Sequence, residues 1–404
     1  MKTLVFCLGL ALAARLHAQA PPATVTRTLT NGATSLTVNF TLHPIRSTNY
    51  NVQVQDATGA FTPYTADVPR TYIGTVTGRP GAIAAGYQKA NGTFWSYIAF
   101  EDGITWNSTG TTATSGGGTW TPNVYPTTGV GAGGAGPAVK AAELGIDASY
   151  REWQAVGTNL VNMIDMVEFC AMKANIVYLR DTAILHRVGR IVVRTDAVKC
   201  PYQALPSSTT ADWSVLLNTM KTQWNTVLPP VLGASAHDVA SLVRPGVGGG
   251  LASVGVIGTA SRYSITGATS SGDFLGAWRH ELGHNWSSSH YEGGGKPEGP
   301  TIMSDNSLAR FSSSEATKII AHRNSKAAVL DNLGAYSFPL PPRAFGDRVT
   351  MTAGALSTTV DVLLNDSDSN GEALTLVSSD ASSTMKGLVL RSPGTGPSGR
   401  DQLI

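Results

Sequence analysis

Residues 280–290 read HELGHNWSSSH, and this stretch constrains the chain more than any other. His280 and His284 are four positions apart, so on a helix their side chains lie one above the other on the same face. Two imidazoles placed this way can hold one metal ion, and Glu281 can reach a water molecule beside it. His290 follows past the expected helix end, where a turning chain can bring in a third nitrogen. The motif therefore predicts a metal site with an open fourth position, as in catalytic zinc sites.

HELGHNWSSSH, together with the Met of the following TIMS, resembles the metzincin metallopeptidases. Their pattern is H-E-x-x-H-x-x-G-x-x-H followed by a Met-turn. The flanking sequence is most similar to reprolysin-type (adamalysin-like) domains. The resemblance implies zinc ligands at His280, His284 and His290, a general base at Glu281, and the Met-turn residue at Met303. The alternative is a surface helix with solvated histidines, which gives no reason for the third histidine.

One position departs from the metzincin pattern, because Ser287 stands where the family has glycine. That glycine lets the chain turn sharply after the helix with a positive φ, which costs a serine about 1 kcal/mol or more. Either Ser287 itself takes the left-handed conformation, or a neighbour such as Asn285 does.

The function implied by the resemblance is zinc-dependent cleavage of peptide bonds in protein or peptide substrates. Glu281 would take the proton from a water on the zinc and pass it to the leaving amine. The alternative is a surface adhesion or binding protein whose peptidase-like domain is inactive or incidental. An intact Glu281 argues against that alternative, since a retired site has no reason to keep its base.

Composition excludes one class of partner and permits several domains. The chain has 404 residues, a formal net charge of +2 and only 14% charged residues, so it lacks the basic footprint of a nucleic-acid-binding protein. Its 44 glycines favour a β-rich secreted protein with long loops. The oligomeric state cannot be read from the sequence.

The N-terminus has the pattern of a signal peptide over residues 1–20. Lys2 supplies the positive charge, residues 4–14 the apolar run, and residues 18–20 the small-x-small cleavage signal. The run is too short to span a bilayer. The sequence therefore predicts export to the extracellular space or cell surface.

Residues 21–112 contain short alternating runs at 35–40, 50–54 and 71–76, which predict an antiparallel β domain. The segment resembles the pro-segment that precedes reprolysin-type catalytic domains, which would make the protein a zymogen; an unrelated β-sandwich is the alternative. No cysteine lies between residues 21 and 169, so a cysteine cannot block the zinc from this segment. Latency could instead use a carboxylate, for which Asp67 and Asp102 are the candidates, or simple occlusion of the site, or the segment could have no silencing role.

Residues 113–140 are rich in Gly, Thr, Ser and Pro, which is typical of a linker. Lys140 is a candidate activation site at its end, and a tether that is never cut is the alternative.

Residues 141–336 form the predicted catalytic domain, which the resemblance implies is zincin-like: a mixed five-stranded sheet with long helices. Within it the patterns predict a βαβ unit from a strand at 142–147, a helix at 150–180 and a strand at 187–195. Further predictions are a helix at 211–227 and strands at 238–243 and 254–257. The metzincin resemblance implies a substrate-binding edge strand near 262–265. The site helix is expected to begin at 271–273, and a capping box at 312–315 to open a last helix.

Residues 343–404 resemble a bacterial cadherin-like repeat that is truncated, which implies a partial β-sandwich and an overall α+β, multidomain fold. Asp366, Asp368 and Asn370 imitate the start of a calcium loop, but Val377 stands where an EF-hand has glutamate. Calcium binding stays open. So does a disulfide between Cys170 and Cys200, for which two separate buried thiols are the alternative.

Overall fold

The protein is mixed α+β and rich in strands. The computed structural model describes residues 20–117, 138–233, 237–290, 300–304, 308–344, 352–364, 366, 368–370, 372–376, 391–392 and 402–403. The strands are β1 Thr24–Asn31, β2 Thr34–Leu42, β3 Arg46–Gln55, β4 Phe61–Tyr64, β5 Thr71–Val76, β6 Ile83–Gln88, β7 Phe94–Ala99, β8 Thr105–Ser108, β9 Thr114–Gly116, β10 Val139–Ala148, β11 Ile184–Arg194, β12 Val239–Val243, β13 Gly250–Ala252, β14 Tyr263–Thr266, β15 Asp331–Gly334, β16 Arg391–Ser392 and β17 Gln402–Leu403. The helices are α1 Tyr150–Ala155, α2 Leu160–Thr182, α3 Thr210–Thr222, α4 Pro229–Leu232, α5 Leu275–Asn285 and α6 Ser313–Ser325.

An antiparallel sheet of seven strands occupies most of the N-terminal part, in the order β1-β2-β5-β6-β7-β8-β9. Alternation in the sequence explains one buried face: Val38 and Phe40 of β2 are buried while Asn39 between them is exposed. The alternating runs at 35–40, 50–54 and 71–76 lie in β2, β3 and β5.

The second sheet carries the predicted βαβ unit. Its order is β13-β14-β12-β10-β11-β3-β4, with β15 paired to β10 as an eighth strand. β10 and β11 pair in parallel across the α2 crossover, as the sequence predicts. The predicted count of five strands is too low for the whole sheet: β10 to β14 supply five, and β3, β4 and β15 join them from outside that stretch.

The predicted helix at 150–180 is two helices. α1 ends at Ala155, and Gly157 and Thr158 both adopt positive φ, 78° and 54°, which no helix continues through. The side chain of Asn159 then caps α2 by accepting from the N–H of Asn162. Apolar residues keep their helical spacing on both sides of this break, so the spacing alone does not predict that the helix is interrupted.

Three further expectations need correction. The helix predicted at 211–227 is α-helical only to Thr222, and a π-helical turn follows from Gln223 to Val227. Residues 254–257 form no strand, and the strand nearby is β13. The expected edge strand near 262–265 is β14, which lies inside the sheet between β12 and β13, so β13 is the edge strand beside the site. The capping box at 312–315 is present and opens α6.

Several predictions fall partly outside the described residues, among them the signal peptide, most of the linker and most of the cadherin-like segment. The division into pro-segment and catalytic domain stays a prediction, although β3 of the first joins β11 of the second. Cys170 and Cys200 are both buried and free, so the two-thiol alternative holds. In the described ranges, every helix is too short or too polar to cross a lipid bilayer.

Candidate metal centre

The helix α5 presents the site residues because its other face is apolar. Phe274, Trp278 and Leu282, four positions apart, are almost fully buried, as the sequence predicts. The helix begins at Leu275, later than expected, and the carboxylate of Asp273 accepts a hydrogen bond from the N–H of Leu275. Packing of this apolar face fixes which way the opposite face points.

The structure brings the three predicted histidines together. Nε2 of His290 lies 3.1 Å from Nε2 of His284 and 3.2 Å from Nε2 of His280. Nitrogens bound tetrahedrally at about 2.0–2.1 Å from one zinc ion lie about 3.3–3.4 Å apart. The three imidazoles therefore converge with the spacing of metal ligands, and in the described residues they are the only such cluster of His, Cys, Asp or Glu.

Two of the three rings are oriented by backbone carbonyls. Nδ1 of His280 lies 2.7 Å from the carbonyl oxygen of Ile302, and Nδ1 of His284 lies 2.7 Å from that of Ser288. A carbonyl only accepts, so each Nδ1 carries the proton and each Nε2 offers a lone pair to the cluster. Burial lowers the pKa of His284 to about 4, which keeps that imidazole neutral at pH 7. Converging lone pairs repel one another unless a cation lies between them, so this donor set fits a metal ion.

The turn that brings His290 to the cluster settles the question of Ser287. Its φ is 81°, so Ser287 itself takes the left-handed conformation that glycine normally adopts there. The N–H of Ser288 donates to the carbonyl of Gly283, and the N–H of Ser287 donates to that of His284, which closes the helix end.

Glu281 packs against the edge strand β13. A Cβ added to Gly250 of β13 would lie 2.4 Å from Cγ of Glu281, so only glycine permits this approach. The side chain is buried, and this burial raises the pKa of Glu281 to about 8. A cation at the histidines would favour the charged carboxylate instead. Gly250 is not predicted from the motif, although the run of three glycines at 248–250 marks a place of close approach.

Met303 packs beneath the site helix. It is 1% exposed, and a Cβ on Gly283 would lie 2.5 Å from its Sδ. The helix and the 300–304 loop thus approach closely at Gly283. The same loop provides the Ile302 carbonyl that orients His280, so Met303 anchors a loop that contacts the cluster.

A buried polar chain behind α5 went unpredicted. Trp286, directly after the helix, donates its indole N–H to Nε2 of His186 at 2.9 Å. His186 in turn has Nδ1 3.0 Å from the amide oxygen of Asn175 on α2, whose amide nitrogen donates to the carbonyl of His186. This chain ties the end of the site helix to β11 and α2. Partners so distant in sequence leave no local signal.

Three other histidines, and the carboxylates considered in the sequence analysis, do not join the cluster. His43, His237 and His322 lie elsewhere, His43 against the hydroxyl of Tyr336 and His237 against that of Tyr263. Asp67 pairs with Arg70, and Asp102 accepts from the N–H of Ile104. Asp368 accepts from the N–H groups of Asn370 and Glu372 as an ordinary loop carboxylate does.

Comparison with known proteins yields no sequence relative. No protein-family model and no curated protein matches the chain. Among the solved structures that are similar to it, two share 13% identity with this chain. One, a chaperone–substrate complex, has a TM-score of 0.35 over 69% of this chain, which spans only 40% of that structure's chain. The other, metalloproteinase-II from Bacteroides fragilis, has a TM-score of 0.36 over 75% of this chain and 92% of its own.

Proposed function

We propose that this protein is a secreted zinc-dependent endopeptidase. The observation that carries the proposal is the convergence of three imidazole Nε2 atoms: that of His290 lies 3.1 Å from that of His284 and 3.2 Å from that of His280. The buried Glu281 follows His280 on the same helix. Export rests on the signal peptide predicted at residues 1–20.

His280, His284 and His290 are the residues that would hold the metal. Three imidazole ligands favour zinc among the ions available to an exported hydrolase, and they leave one coordination position for water or substrate. When bound, zinc polarises a carbonyl group and makes water more acidic. No carboxylate joins the three histidines in the described residues, which suits a site that must keep one position open.

Glu281 is the proton carrier in this proposal. It follows His280 on the same helix, and its carboxylate lies against Gly250 of β13. In the ionised form, which a neighbouring cation favours, it can take a proton from the attacking water and hold it. It can then deliver the proton to the amine that leaves when the peptide bond breaks.

The edge strand β13 offers a place for an extended substrate. It pairs with β14 on one side and ends the described sheet on the other. A peptide that adds to such an edge through backbone hydrogen bonds would lie beside the strand whose Gly250 contacts Glu281. This arrangement favours cleavage within a polypeptide.

We further propose that the enzyme is a metzincin, and two local features support this. Ser287 adopts the left-handed φ of the glycine in the metzincin pattern, and Met303 packs under the helix where the pattern has its Met-turn. The narrower, reprolysin-like assignment rests on the similarity of the flanking sequence.

The test is hydrolysis of casein by the purified full chain, before and after removal of metal with a chelator. We expect activity that disappears on chelation and returns when zinc alone is added back to a concentration equal to that of the protein. Metal content measured on the same samples should track the activity. Activity that survives complete removal of metal would contradict the proposal.

A further inference from the structure

The N-terminal part of the chain, residues 20–117, contributes strands to the sheet that carries the site. β3 pairs in parallel with β11, from Arg46 against Val188 to Gln55 against Arg194, and β4 pairs with β3. Val52 of β3 is 2% exposed and belongs to the same core as the βαβ unit. Removing residues 20–117 would therefore expose the ladder edge of β11 and part of the shared core.

Buried charges on α2 depend on the same N-terminal segment. Glu168 is fully buried, and Nε of Arg46 donates to its carboxylate at 2.6 Å. The carboxylate of Asp165 accepts from the hydroxyl of Tyr87 at 2.7 Å, and Lys89 lies 3.6 Å from it. Without residues 20–117, the carboxylates of Asp165 and Glu168 would lose these partners. Buried carboxylates without partners are costly in free energy, so stable folded proteins rarely contain them.

The N-terminal segment also contacts the elements that hold the site. The guanidinium of Arg279, next to His280, donates to the hydroxyl of Tyr97 at 2.9 Å. The N–H of Ala309 donates to the carbonyl of Gly103, close to the loop that carries Met303. Arg180 at the end of α2 donates to the carbonyl of Phe100. The segment thus supports both the site helix and the Met303 loop from one side.

Lys140, the candidate activation site, lies inside a paired strand. Its N–H donates to the carbonyl of Ala183, and it is paired with Ile184 on one side and Asn332 on the other. A protease needs an extended, unpaired backbone, so cutting at Lys140 would require β10 to leave the sheet.

We propose that residues 20–117 are a permanent part of the working protein, held to the remainder by β3 and the Arg46–Glu168 and Tyr87–Asp165 contacts, rather than a segment that leaves on activation. A cut between residues 118 and 137 would then give two pieces that remain one folded unit. Only the measurement of casein hydrolysis depends on the proposed peptidase function; the association of the two pieces does not.

The test uses the full chain with a site-specific protease sequence placed between residues 118 and 137. After complete cleavage, both pieces are expected to elute together on size exclusion in native buffer, at the volume of the uncut protein, and to separate only in denaturant. Casein hydrolysis and zinc content should change less than twofold. Release of the N-terminal piece in native buffer would overturn the proposal, whether or not the remaining piece is active.

A paired set of variants locates the contact. In the cut protein, Arg46→Ala should weaken the association of the two pieces at least tenfold, because Glu168 loses its partner. Asn39→Ala, at an exposed position on β2, should leave the association unchanged. If Arg46→Ala has no effect, the assignment of that contact fails. Co-elution without casein hydrolysis in cut and uncut protein would contradict the peptidase function and leave this proposal standing.

Discussion

Glu281 and Gly250 approach so closely that a single methyl group on Gly250 would lie 2.4 Å from Cγ and 2.6 Å from Oε1 of Glu281. The glutamate and the edge strand β13 therefore fit only because this strand residue has no side chain. The contact sets the position of the proposed proton carrier relative to the strand along which a substrate would lie.

Gly250→Ala should displace the Glu281 carboxylate and lower casein hydrolysis at least tenfold, since small misplacements of a catalytic group are costly. Zinc content should stay at one per chain, because the histidines are untouched. Gly248→Ala is the matched control: its added Cβ would meet only Trp213, at 4.0 Å. Equal activity in the two variants would show that the glutamate does not depend on this contact.

Ser287→Gly should stabilise the protein by about 1 kcal/mol, because glycine adopts the observed φ of 81° without the strain that serine bears. Urea unfolding measures the change. Ser287→Ala removes the hydroxyl but keeps the strain, so it should leave the free energy of unfolding close to the wild-type value. A Gly variant less stable than the Ala variant would mean that the turn carries no strain.

Glu152 makes stability depend on pH. It is fully buried, its carboxylate has no hydrogen-bond partner among the described residues, and burial, with the charge of Asp273, raises its pKa from 4.5 to about 8. A carboxylic acid whose pKa is higher in the folded than in the unfolded protein stabilises the fold fully at pH values below its unfolded-state pKa. This contribution is lost as the pH rises through its folded-state pKa. At about 1.4 kcal/mol per pKa unit, the loss between pH 4.5 and 8 is up to about 5 kcal/mol.

Glu152→Gln should therefore flatten the dependence of unfolding free energy on pH over that interval. Urea unfolding at pH 5, 6, 7 and 8 gives the comparison. Asn39→Ala, an exposed and non-titrating position on β2, should keep the wild-type slope. Parallel curves for wild type and Glu152→Gln would show that Glu152 is not the group responsible.

The sequence predicts the βαβ unit and the capping box of α6 because both are local patterns of apolar spacing and capping residues. It misses the break at Gly157 and Thr158, where two residues with positive φ interrupt an apolar pattern that continues on either side. It also misses the pairing of β3 with β11, since the partners are about 140 positions apart and alternation does not identify which strand lies next to which.

For the site, the motif predicts which three histidines meet, because helix geometry fixes His280 and His284 and the family pattern supplies His290. The supporting residues escape prediction. His186 carries no motif, and its partners Trp286 and Asn175 are identified only by the fold. Gly250 matters through the space it leaves, which appears only when Glu281 is placed against it.

The most direct test of the central claim compares wild type with Glu281→Gln, measuring zinc content and casein hydrolysis on the same preparations. The variant keeps the shape of the side chain and all three histidines but cannot carry the proton. We predict one zinc per chain in both proteins and hydrolysis lowered at least a hundredfold in the variant. Equal hydrolysis by the two proteins would contradict the role of Glu281, and absence of zinc from both would contradict the metal site.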